Sequence, residues 1–349
     1  MRELNYLYFI QFASVELFVI EMLNTIKLLI QILSDGNFHS DLELEKVFNL
    51  TRNDILQFIN HLNQYGIEVE TKIGLGYRIP GGLELINKNF LGEYLNSKYQ
   101  SRLENTVVFD EVSSTNTYLS DLLRDKENKI NICFAEYQMA GKGRLGRQWI
   151  SPYAKNIYLS LLHQFIKQPL ELSGLSIAVA VATVKALKLY GLQDEIRLKW
   201  PNDIVWQGRK LVGILIELFA KSHNSCNAVI GVGVNVNMSQ KQGNKIDQPW
   251  CDVAEITNSI PQRNKLAGIL LDQLLTAIDL FQEYGLQAFI KDWMNFDVCY
   301  EKSVKIITPT KVFSGIGMGI DGNGHFLLQD ATGKTYTFAS GEVSLRVCI

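Results

Sequence analysis

The sequence predicts an α+β protein built from three consecutive segments, and three observations lead to this fold class. Residues 22–80 carry three apolar patterns at helical spacing, followed by an alternating stretch. Residues 90–285 mix strand-like runs with long apolar helices, and residues 298–349 contain only short strands between turn signals. Because the central strands come in runs as well as alternating with helices, we expect a mixed sheet rather than a doubly wound one.

Length, composition and charge limit the function classes. The chain has 349 residues, 47% of them hydrophobic and 20% charged, with a formal net charge of −2. At roughly 100–200 residues per domain, this length predicts two or three domains with sizeable cores. Because positive and negative charges nearly balance, the chain is not expected to be a strongly basic nucleic-acid coat protein. The five cysteines lack C-x-x-C spacing and the five histidines lack metal-ligand spacing, which argues against a zinc site and favours reduced thiols in a cytoplasmic protein.

The apolar-rich amino terminus is not predicted to span a membrane. Residues 4–15 are uncharged, but Glu16 and Glu21 follow, and a bilayer needs about 20 apolar residues. The basic region and cleavage site of a signal peptide are not clear either. We therefore interpret residues 1–21 as an extra segment, with Met22 as a sensible start.

Three helices are predicted in residues 22–82. Apolar residues recur at helical spacing from Ile26 to Leu33, Ser40–Glu43 is a capping box that opens a second helix, and Thr51 caps a third. The third helix has one apolar face, which we expect to be buried, and one polar face.

A two-stranded wing is predicted to follow the third helix. Residues 67–70 alternate as a strand, Gly74–Gly76 is a hairpin tip, and Pro80–Gly82 ends the domain. Three helices and a wing are typical of DNA-binding modules, with a small interaction domain as the alternative. The five cations and seven carboxylates of residues 22–80 disfavour phosphate contacts. The predicted DNA contacts are Thr51, Arg52, Asn53, Gln57, Asn60 and His61.

The basic loop, Gly141–Arg147, is the strongest motif of the central segment. Its three glycines would let the backbone approach a ligand, and its cations Lys142, Arg144 and Arg147 would attract anionic oxygens. The loop also matches the dinucleotide fingerprint G-x-G-x-x-G. That fingerprint must open a helix, which Pro152 disfavours here. The remaining alternative is a flexible basic surface loop.

Four further segments place polar residues or glycines beside predicted strands. Lys199–Asp203 suits either the edge of an active site or an ordinary polar turn. Lys210 begins an apolar strand. It is either an edge residue whose charged end reaches solvent or a cation that points into a site without water. Ser113–Asn116 would contact a polar ligand or cap a helix, and its pattern alone favours capping. Gly231 and Gly233, in an apolar strand, indicate that a ligand or another backbone lies close.

The last segment, residues 298–349, is predicted to form a small β-barrel because short strands alternate with turn signals. The predicted strands are 304–307, 311–313, 315–319, 324–328 and 334–338.

Taken in order, these segments resemble the motifs of biotin–protein ligases. The resemblance covers residues 22–349 and includes the wing and Gly341–Arg346. It rests on Ser-Ser-Thr-Asn at 113–116, Ala135–Gln138 before the basic loop, Lys-Trp-Pro-Asn-Asp at 199–203, Gly208–Leu215, and Gly-Val-Gly-Val-Asn at 231–235. With the N-terminal segment included, the chain resembles the bifunctional bacterial form, which is both the ligase and the repressor of the biotin operon.

The resemblance implies a fold and a reaction. It implies a winged helix-turn-helix at 22–82, a catalytic domain related to class II synthetases at 90–285, and an SH3-like barrel at 298–349. It also implies that the carboxylate of biotin attacks ATP to give biotinyl-5′-AMP, from which a lysine of a carrier protein takes the biotinyl group.

The resemblance further implies roles for individual residues. Catalysis would fall to Arg144, Asn202, Asp203 and Lys210, with Asn202 helping with Mg²⁺ or phosphate and Asp203 receiving the acceptor lysine. The biotin contacts would be Ser114, Thr115, Asn116, Gln138, Lys142, Gly143, Arg144 and Lys210. The nucleotide contacts would be Arg144, Arg147, Trp149, Lys199, Asn202, Asn235, Trp250 and Arg346, with Trp250 in a loop that covers the adenine.

The implied ligands are ATP, Mg²⁺ and biotin. The implied partners are the biotin carboxyl carrier domain of acetyl-CoA carboxylase, operator DNA and a second copy of the liganded chain, without a membrane. One departure is Lys142, which stands where the family loop usually has arginine and loses the bidentate fork. The alternatives are a lipoate–protein ligase and a biotin-sensing transcription factor without ligase activity.

Overall fold

The computed structural model describes residues 24–125, 129–192, 195–222, 224–308, 310–339 and 344–347. The chain divides into two compact units, one ending at Glu84 and the other beginning at Leu85. The predicted extra segment, residues 1–21, lies outside the described residues, as do residues 341–343 and the side chain of Arg346.

The described part of the first unit, from residue 24 onwards, consists of three helices and a hairpin. Its elements are α1 (Asn24–Leu33), α2 (Asp41–Phe48), α3 (Arg52–Gln64), β1 (Glu70–Lys72) and β2 (Gly76–Arg78). The predicted N-caps are confirmed, since Ser40 accepts from the Glu43 amide and Thr51 forms a reciprocal box with Asp54. The predicted box at 40–43 is only half formed, because the Glu43 carboxylate contacts His39. The fully buried side chains of the unit include Leu29, Leu33, Leu44, Ile55 and Leu62.

The first strand of the hairpin begins later than residue 67, where the sequence placed it. The amide of Ile67 donates to the carbonyl of Leu62 at 3.0 Å, so this part of the chain closes α3 instead of pairing as a strand. The hairpin is then held to the helices, because His39 and Tyr77 exchange both backbone hydrogen bonds at 2.9 Å.

The second unit is built around a seven-stranded sheet in the order β3-β4-β5-β9-β8-β7-β6. The strands are β3 (Thr106–Val112), β4 (Ile132–Gln138), β5 (Asn156–Phe165), β6 (Ile196–Lys199), β7 (Asp203–Trp206), β8 (Arg209–Ser222) and β9 (Ser225–Asn235). Strands β3 and β4 run parallel, and the other neighbouring pairs are antiparallel. The predicted mixed sheet is confirmed.

The described part of the second unit also contains helices. They are α4 (Lys88–Gly92), α5 (Thr115–Asp121), α6 (Leu175–Tyr190), α7 (Gln240–Gly243), α8 (Val253–Thr257), α9 (Arg263–Tyr284) and α10 (Gln287–Phe296). The single helical stretch predicted at 263–294 is two helices, because Gly285 takes a φ of 63° and ends α9. The segment Pro169–Tyr190 is long and apolar enough to cross a membrane, but 67% of its apolar window is buried in the core.

The last part of the described chain is a five-stranded antiparallel sheet in the order β13-β12-β11-β10-β14. The strands are β10 (Ser303–Ile307), β11 (Val312–Ile320), β12 (Phe326–Gln329), β13 (Thr335–Phe338) and β14 (Ser344–Val347). The strands predicted at 311–313 and 315–319 are one strand, β11. A Cβ at Gly315 would contact the Gln329 backbone, so this glycine allows close strand packing and does not make a turn. Closure into a barrel stays a prediction.

The described cysteines are free and buried: Cys133, Cys226, Cys251 and Cys299. Burial raises the pKa of Cys251 to about 12, so it is a thiol at neutral pH. These residues agree with the expectation of reduced thiols, whereas Cys348 lies outside the described residues.

Candidate functional site

A cavity of about 870 Å³ lies against the central sheet of the second unit. Its walls come from the start of α5, the basic loop, the turn between β6 and β7, and strands β8 and β9. The predicted site residues that line it are Ser114, Thr115, Asn116, Gln138, Lys142, Gly143, Arg144, Arg147, Trp149, Lys199, Asn202, Asp203, Lys210, Asn235 and Trp250. The fold therefore brings together motifs that are far apart in the sequence, while the role of each residue stays a prediction.

Neighbouring strands form the floor of the cavity, and two of them contribute glycines. The register pairs Tyr158 on β5 with Gly233 on β9, and Gly233 with Gly213 on β8. An ideal Cβ would lie 2.7 Å from the Trp149 ring at Gly213, and 2.5 Å from it at Gly233. Glycine is therefore required for the indole to lie directly on the strand backbone. The sequence predicted a ligand or another backbone at Gly233, whereas the group that lies against it is the side chain of Trp149.

A buried polar network around Asn116 lines one part of the cavity. Ser160 Oγ lies 2.6 Å from Asn116 Oδ1 and 2.7 Å from Thr115 Oγ1, and Asn116 Nδ2 donates to Glu217 Oε2 at 2.8 Å. The amide and hydroxyl of Thr115 donate to Gln138 Oε1 at 3.0 and 3.2 Å. Because Thr115, Asn116, Gln138 and Ser160 are buried, hydrogen-bonding capacity that the network does not use is available to a ligand in the cavity.

Ser114 stands at the N-cap position of α5, but its side chain makes no capping hydrogen bond. The helix-capping interpretation of this motif is therefore wrong for Ser114. Instead, Ser114, Thr115 and Asn116 are all buried and line the cavity.

The basic loop does not open a helix. Its regular part is a single turn, Arg144–Gly146, in which Leu145 has a φ of 55°. A Cβ at Gly141 would lie 2.5 Å from the carbonyl oxygen of Trp149, so glycine lets the loop fold back on itself. This geometry agrees with the argument from Pro152 and excludes the dinucleotide-binding interpretation of G-x-G-x-x-G.

Two cations of the cavity are held by neighbouring polar groups. Arg144 Nη1 donates to Asn202 Oδ1 at 3.0 Å, and Lys210 Nζ lies 2.7 Å from Asp203 Oδ1. Burial lowers the pKa of Arg144 and the charge of Asp203 opposes that shift, and an arginine side chain stays charged in proteins. The side chain of Lys210 is 19% exposed, and its Nζ lies 5.7 Å from the centre of the Trp149 ring. Lys210 is thus a cation inside the cavity and not a snorkelling edge residue.

Trp250 also lines the cavity. Lys210 and Trp250 form an isolated parallel bridge. The side chain of Asn235 donates to the carbonyls of Lys210 and Cys251 at 3.3 and 3.1 Å, which ties β9 to β8 and to the Trp250 segment. The short helix α7 lies within residues 239–249, where the sequence predicted a ligand-covering loop.

Cations outnumber carboxylates among the described residues that line the cavity. The cations are Lys142, Arg144, Arg147, Lys199, Lys210 and Lys245, and the carboxylates are Asp203 and Asp247. This excess suits anionic ligands. The net charge of −2 for the whole chain therefore does not describe the site.

Asn202, the predicted Mg²⁺ ligand, faces a cation. Its Oδ1 accepts from Arg144, and its Nδ2 donates to the carbonyl of Ile214 at 2.5 Å. In the described parts of the chain, no three His, Cys, Asp or Glu residues form a group that could hold a metal ion. A divalent cation at Asn202 would lie against a guanidinium, so these residues do not fit a Mg²⁺ held by the protein.

The sequence analysis missed three polar residues of the network. Ser160 is completely buried in the apolar strand β5, Ser151 Oγ accepts from Gln138 Nε2 at 3.0 Å, and Glu217 contacts Asn116. A hydroxyl in the middle of an apolar strand is a signal that could have identified Ser160, because buried polar groups need partners. Glu217 and Ser151 carry no comparable signal in the sequence.

The predicted DNA contacts lie on α3 or at its start. Thr51 is engaged as the N-cap, and Arg52 Nε lies 3.3 Å from Asp41 Oδ1, which also accepts from the Tyr77 hydroxyl at 2.8 Å. The exposed members of the set are Thr51, Arg52, Asn53, Gln57 and Asn60, whereas His61 is half-buried.

Fold and site together define a class, a protein ligase of the biotin/lipoate type. The model of the biotin/lipoate A/B protein ligase family matches residues 108–235, and the model of the biotin protein ligase C-terminal domain matches residues 301–346. The first range contains most of the cavity motifs, and the second contains most of the C-terminal sheet.

Individual relatives narrow this class. The bifunctional ligase/repressor BirA of Escherichia coli K12 is 35% identical over 325 residues, which are 93% of this chain and 98% of that protein. BirA of Bacillus subtilis is 28% identical over 307 residues, 85% of this chain and 91% of that protein. The structure of the Aquifex aeolicus biotin protein ligase in complex with biotin and ATP superposes with a TM-score of 0.58 at 26% identity, covering 70% of this chain and 100% of that one. The chain therefore belongs to the biotin protein ligase family, and it is a ligase enzyme.

Proposed function

We propose that the cavity activates biotin with ATP and transfers the biotinyl group to a lysine of a biotin carboxyl carrier domain. The observation that carries this proposal is the meeting of a buried polar network with Arg144 and Lys210 in one cavity. The carboxylate of biotin attacks the α-phosphorus of ATP, giving biotinyl-5′-AMP and pyrophosphate. The lysine amine then attacks this mixed anhydride and releases AMP. Because the carboxylate is already a nucleophile, catalysis rests on positioning and on neutralising charge.

The polar network suits the ureido ring of biotin, which has two N–H donors and one carbonyl acceptor. The acceptors facing the ring are Asn116 Oδ1 and Thr115 Oγ1, and the donors are the Ser114 hydroxyl and the second hydrogen of Gln138 Nε2. Each polar atom of a buried ring needs such a partner, because an unpaired one costs about 1–3 kcal/mol.

The cations suit the reacting end. Lys210 holds the carboxylate of biotin and then the acyl-phosphate oxygens, and Asp203, at 2.7 Å, keeps Nζ in place and later receives the acceptor lysine. Lys142, Gly143 and Arg144 close over biotin. The proposed nucleotide contacts are Arg144, Arg147, Trp149, Lys199, Asn202, Asn235, Trp250 and Arg346. Because the residues around Asn202 do not fit Mg²⁺, the ion would be held by the phosphates of ATP, whose charge it would screen.

One experiment separates this function from lipoate ligation and from ligand sensing alone. The full chain is mixed with Mg-ATP, a carrier domain and either biotin or lipoate, and the carrier is weighed by mass spectrometry. We expect the mass of one biotinyl group with biotin and no change with lipoate. A lipoyl adduct would favour lipoate ligation, and an unmodified carrier in both mixtures would contradict the proposed transfer.

We also propose that the first unit is a winged helix-turn-helix that binds operator DNA as part of a liganded homodimer in the cytoplasm. Its three helices and hairpin support this, as does the similarity to a relative named as a ligase and repressor. Because carboxylates outnumber cations in this unit, contacts to the DNA phosphates have to come from individual residues such as Arg52 and its neighbours. In gel-shift series with biotin and ATP, we expect salt-sensitive preference for an inverted repeat. The absence of any preference at every salt concentration would leave the ligase alone.

A further inference from the structure

Glu217 does not line the cavity, but it contacts a residue that does. Side chains alternate along a strand, so Gly213, Leu215 and Glu217 share one face of β8, and the first two line the cavity. The register pairs Leu215 with Gly231 and Glu217 with Val229. Glu217 therefore lies one step beyond the cavity floor, within hydrogen-bond distance of Asn116.

This contact leaves the Asn116 amide only one orientation. A carboxylate only accepts hydrogen bonds, so the amide atom 2.8 Å from Glu217 Oε2 must be Nδ2, which also lies 3.4 Å from the Leu215 carbonyl. Oδ1 consequently points away from Glu217, towards Ser160 Oγ and Gly231, where an added Cβ would collide with it.

The hydroxyls of the network cannot fill every acceptor. Thr115 gives its single hydroxyl proton to Gln138, and the single proton of Ser160 is within reach of both Thr115 Oγ1 and Asn116 Oδ1. One proton therefore serves two oxygens that both belong to cavity-lining residues. The network offers a ligand an acceptor at this point.

We propose that Glu217 is a positioning residue that sets the ligand selectivity of the cavity. By holding Nδ2, it turns Asn116 Oδ1 towards the ligand, so that this oxygen accepts an N–H of the ureido ring. The inference rests on the proposed assignment of Asn116 to biotin. A ligand with an acceptor in place of that N–H would set its own lone pair against that of Asn116 Oδ1. Such a ligand is rejected, because Oδ1 is then left buried without a donor.

The test compares biotin with a cyclic carbamate analogue in which a ring oxygen replaces one ureido N–H. Two analogues are made, one for each of the two ureido N–H groups. One of them therefore carries the oxygen at the position that faces Asn116 Oδ1. ATP–pyrophosphate exchange gives kcat and KM for the full-length protein and for Glu217→Leu, which removes the acceptor. Glu217→Gln keeps an acceptor oxygen, and Glu283→Gln is the control on the exposed surface of α9.

Glu217→Leu removes the shorter hydrogen bond of Asn116 Nδ2 and leaves only the longer one to the Leu215 carbonyl, so the amide can turn and present Nδ2. We expect KM for biotin to rise roughly tenfold, KM for one carbamate to fall, and kcat to stay nearly unchanged, as for a lost ligand hydrogen bond. Glu217→Gln restores most of the preference for biotin, and Glu283→Gln leaves it intact.

Two results overturn the proposal. Equal weakening of biotin and both carbamates in Glu217→Leu assigns Glu217 a merely structural role, and an unchanged KM for biotin removes any role. Asn116→Ala separates these failures from a failure of the site itself. If that variant binds biotin normally, the assignment of Asn116 is wrong and the inference falls with it.

Discussion

Replacing Lys210 with alanine removes the cation that we place on the carboxylate of biotin. The lysine is held by Asp203 at 2.7 Å and lies over the face of Trp149, with little exposure to solvent. The substitution therefore deletes a positioned charge and also leaves the Asp203 carboxylate without its counter-ion. Both effects disfavour the approach of two anionic substrates.

The magnitude follows from the position of this charge. Two unit charges about 4 Å apart interact by about 4 kcal/mol at the effective dielectric near a protein surface. Removing one preorganised stabiliser of developing charge costs about 2.7–4 kcal/mol, which is roughly 10²–10³ in rate. We expect Lys210→Ala to reduce adenylate formation by this factor. The double variant Lys210→Ala/Asp203→Asn should recover part of the loss, because the uncompensated carboxylate is gone.

Biotin-dependent ATP–pyrophosphate exchange measures this step without the carrier protein. Lys221→Ala is the matched control, since Lys221 lies on the same strand, is exposed, and contacts Gln164 away from the cavity. An unchanged exchange rate in Lys210→Ala would refute the reasoning. An equal loss in Lys221→Ala would show that any substitution of a lysine in β8 disturbs the enzyme.

Three further predictions concern other parts of the chain. Arg263→Met removes the partner of the Glu136 carboxylate, which lies 2.7 Å from the guanidinium, and both side chains are at most 4% exposed. Because a buried carboxylate is left unpaired, we expect the free energy of unfolding in urea to fall by about 3–5 kcal/mol. A fall of less than about 1 kcal/mol would contradict this. Gly231→Ala places a methyl group against Asn116 Oδ1, so KM for biotin should rise roughly tenfold in the exchange assay, and an unaltered KM would argue against ligand contact there. Burial lowers the pKa of His39, but hydrogen bonds to the carboxylates of Glu43 and Asp35 raise it by more. The pKa of His39 therefore lies above its usual value. This stabilisation is complete below the unfolded-state value and is lost as pH rises through the folded-state value. Hairpin amides of the full-length protein should therefore lose protection as the pH rises through the raised pKa of His39 in the native chain, but not in His39→Gln.

The site could be predicted from sequence to the extent that its residues lie in compact motifs. The basic loop, Lys199–Asp203 and Lys210 each combine a turn or strand signal with an unusual charge, and all of them line the cavity. Glu217 could not be assigned in this way, because a single polar residue in a strand has no local partner that shows its role. The hydroxyl of Ser160 in an apolar strand signals that a partner is needed but does not identify that partner. Their partners Thr115 and Asn116 are more than forty positions away in the chain.

Local sequence patterns were also least informative where the same pattern is compatible with two different local structures. A serine before a helix predicts a cap, but Ser114 turns its side chain away from that role. Two strands were predicted at 311–313 and 315–319, but they form the single strand β11, in which β12 packs closely against Gly315. In both cases the outcome depends on a neighbour that is distant in the sequence.

By itself, the sequence determined the order of the elements, the mixed central sheet and the family, because periodicity, caps and compact motifs are local properties of the chain. The tertiary structure alone decided which polar atoms face each other. The register of β5, β9 and β8 sets Ser160 beside Gly231 and Leu215, and the contact with Glu217 then orients Asn116. A hydrogen bond between atoms on different strands needs a donor–acceptor distance of about 2.7–3.2 Å, and only the folded sheet sets that distance.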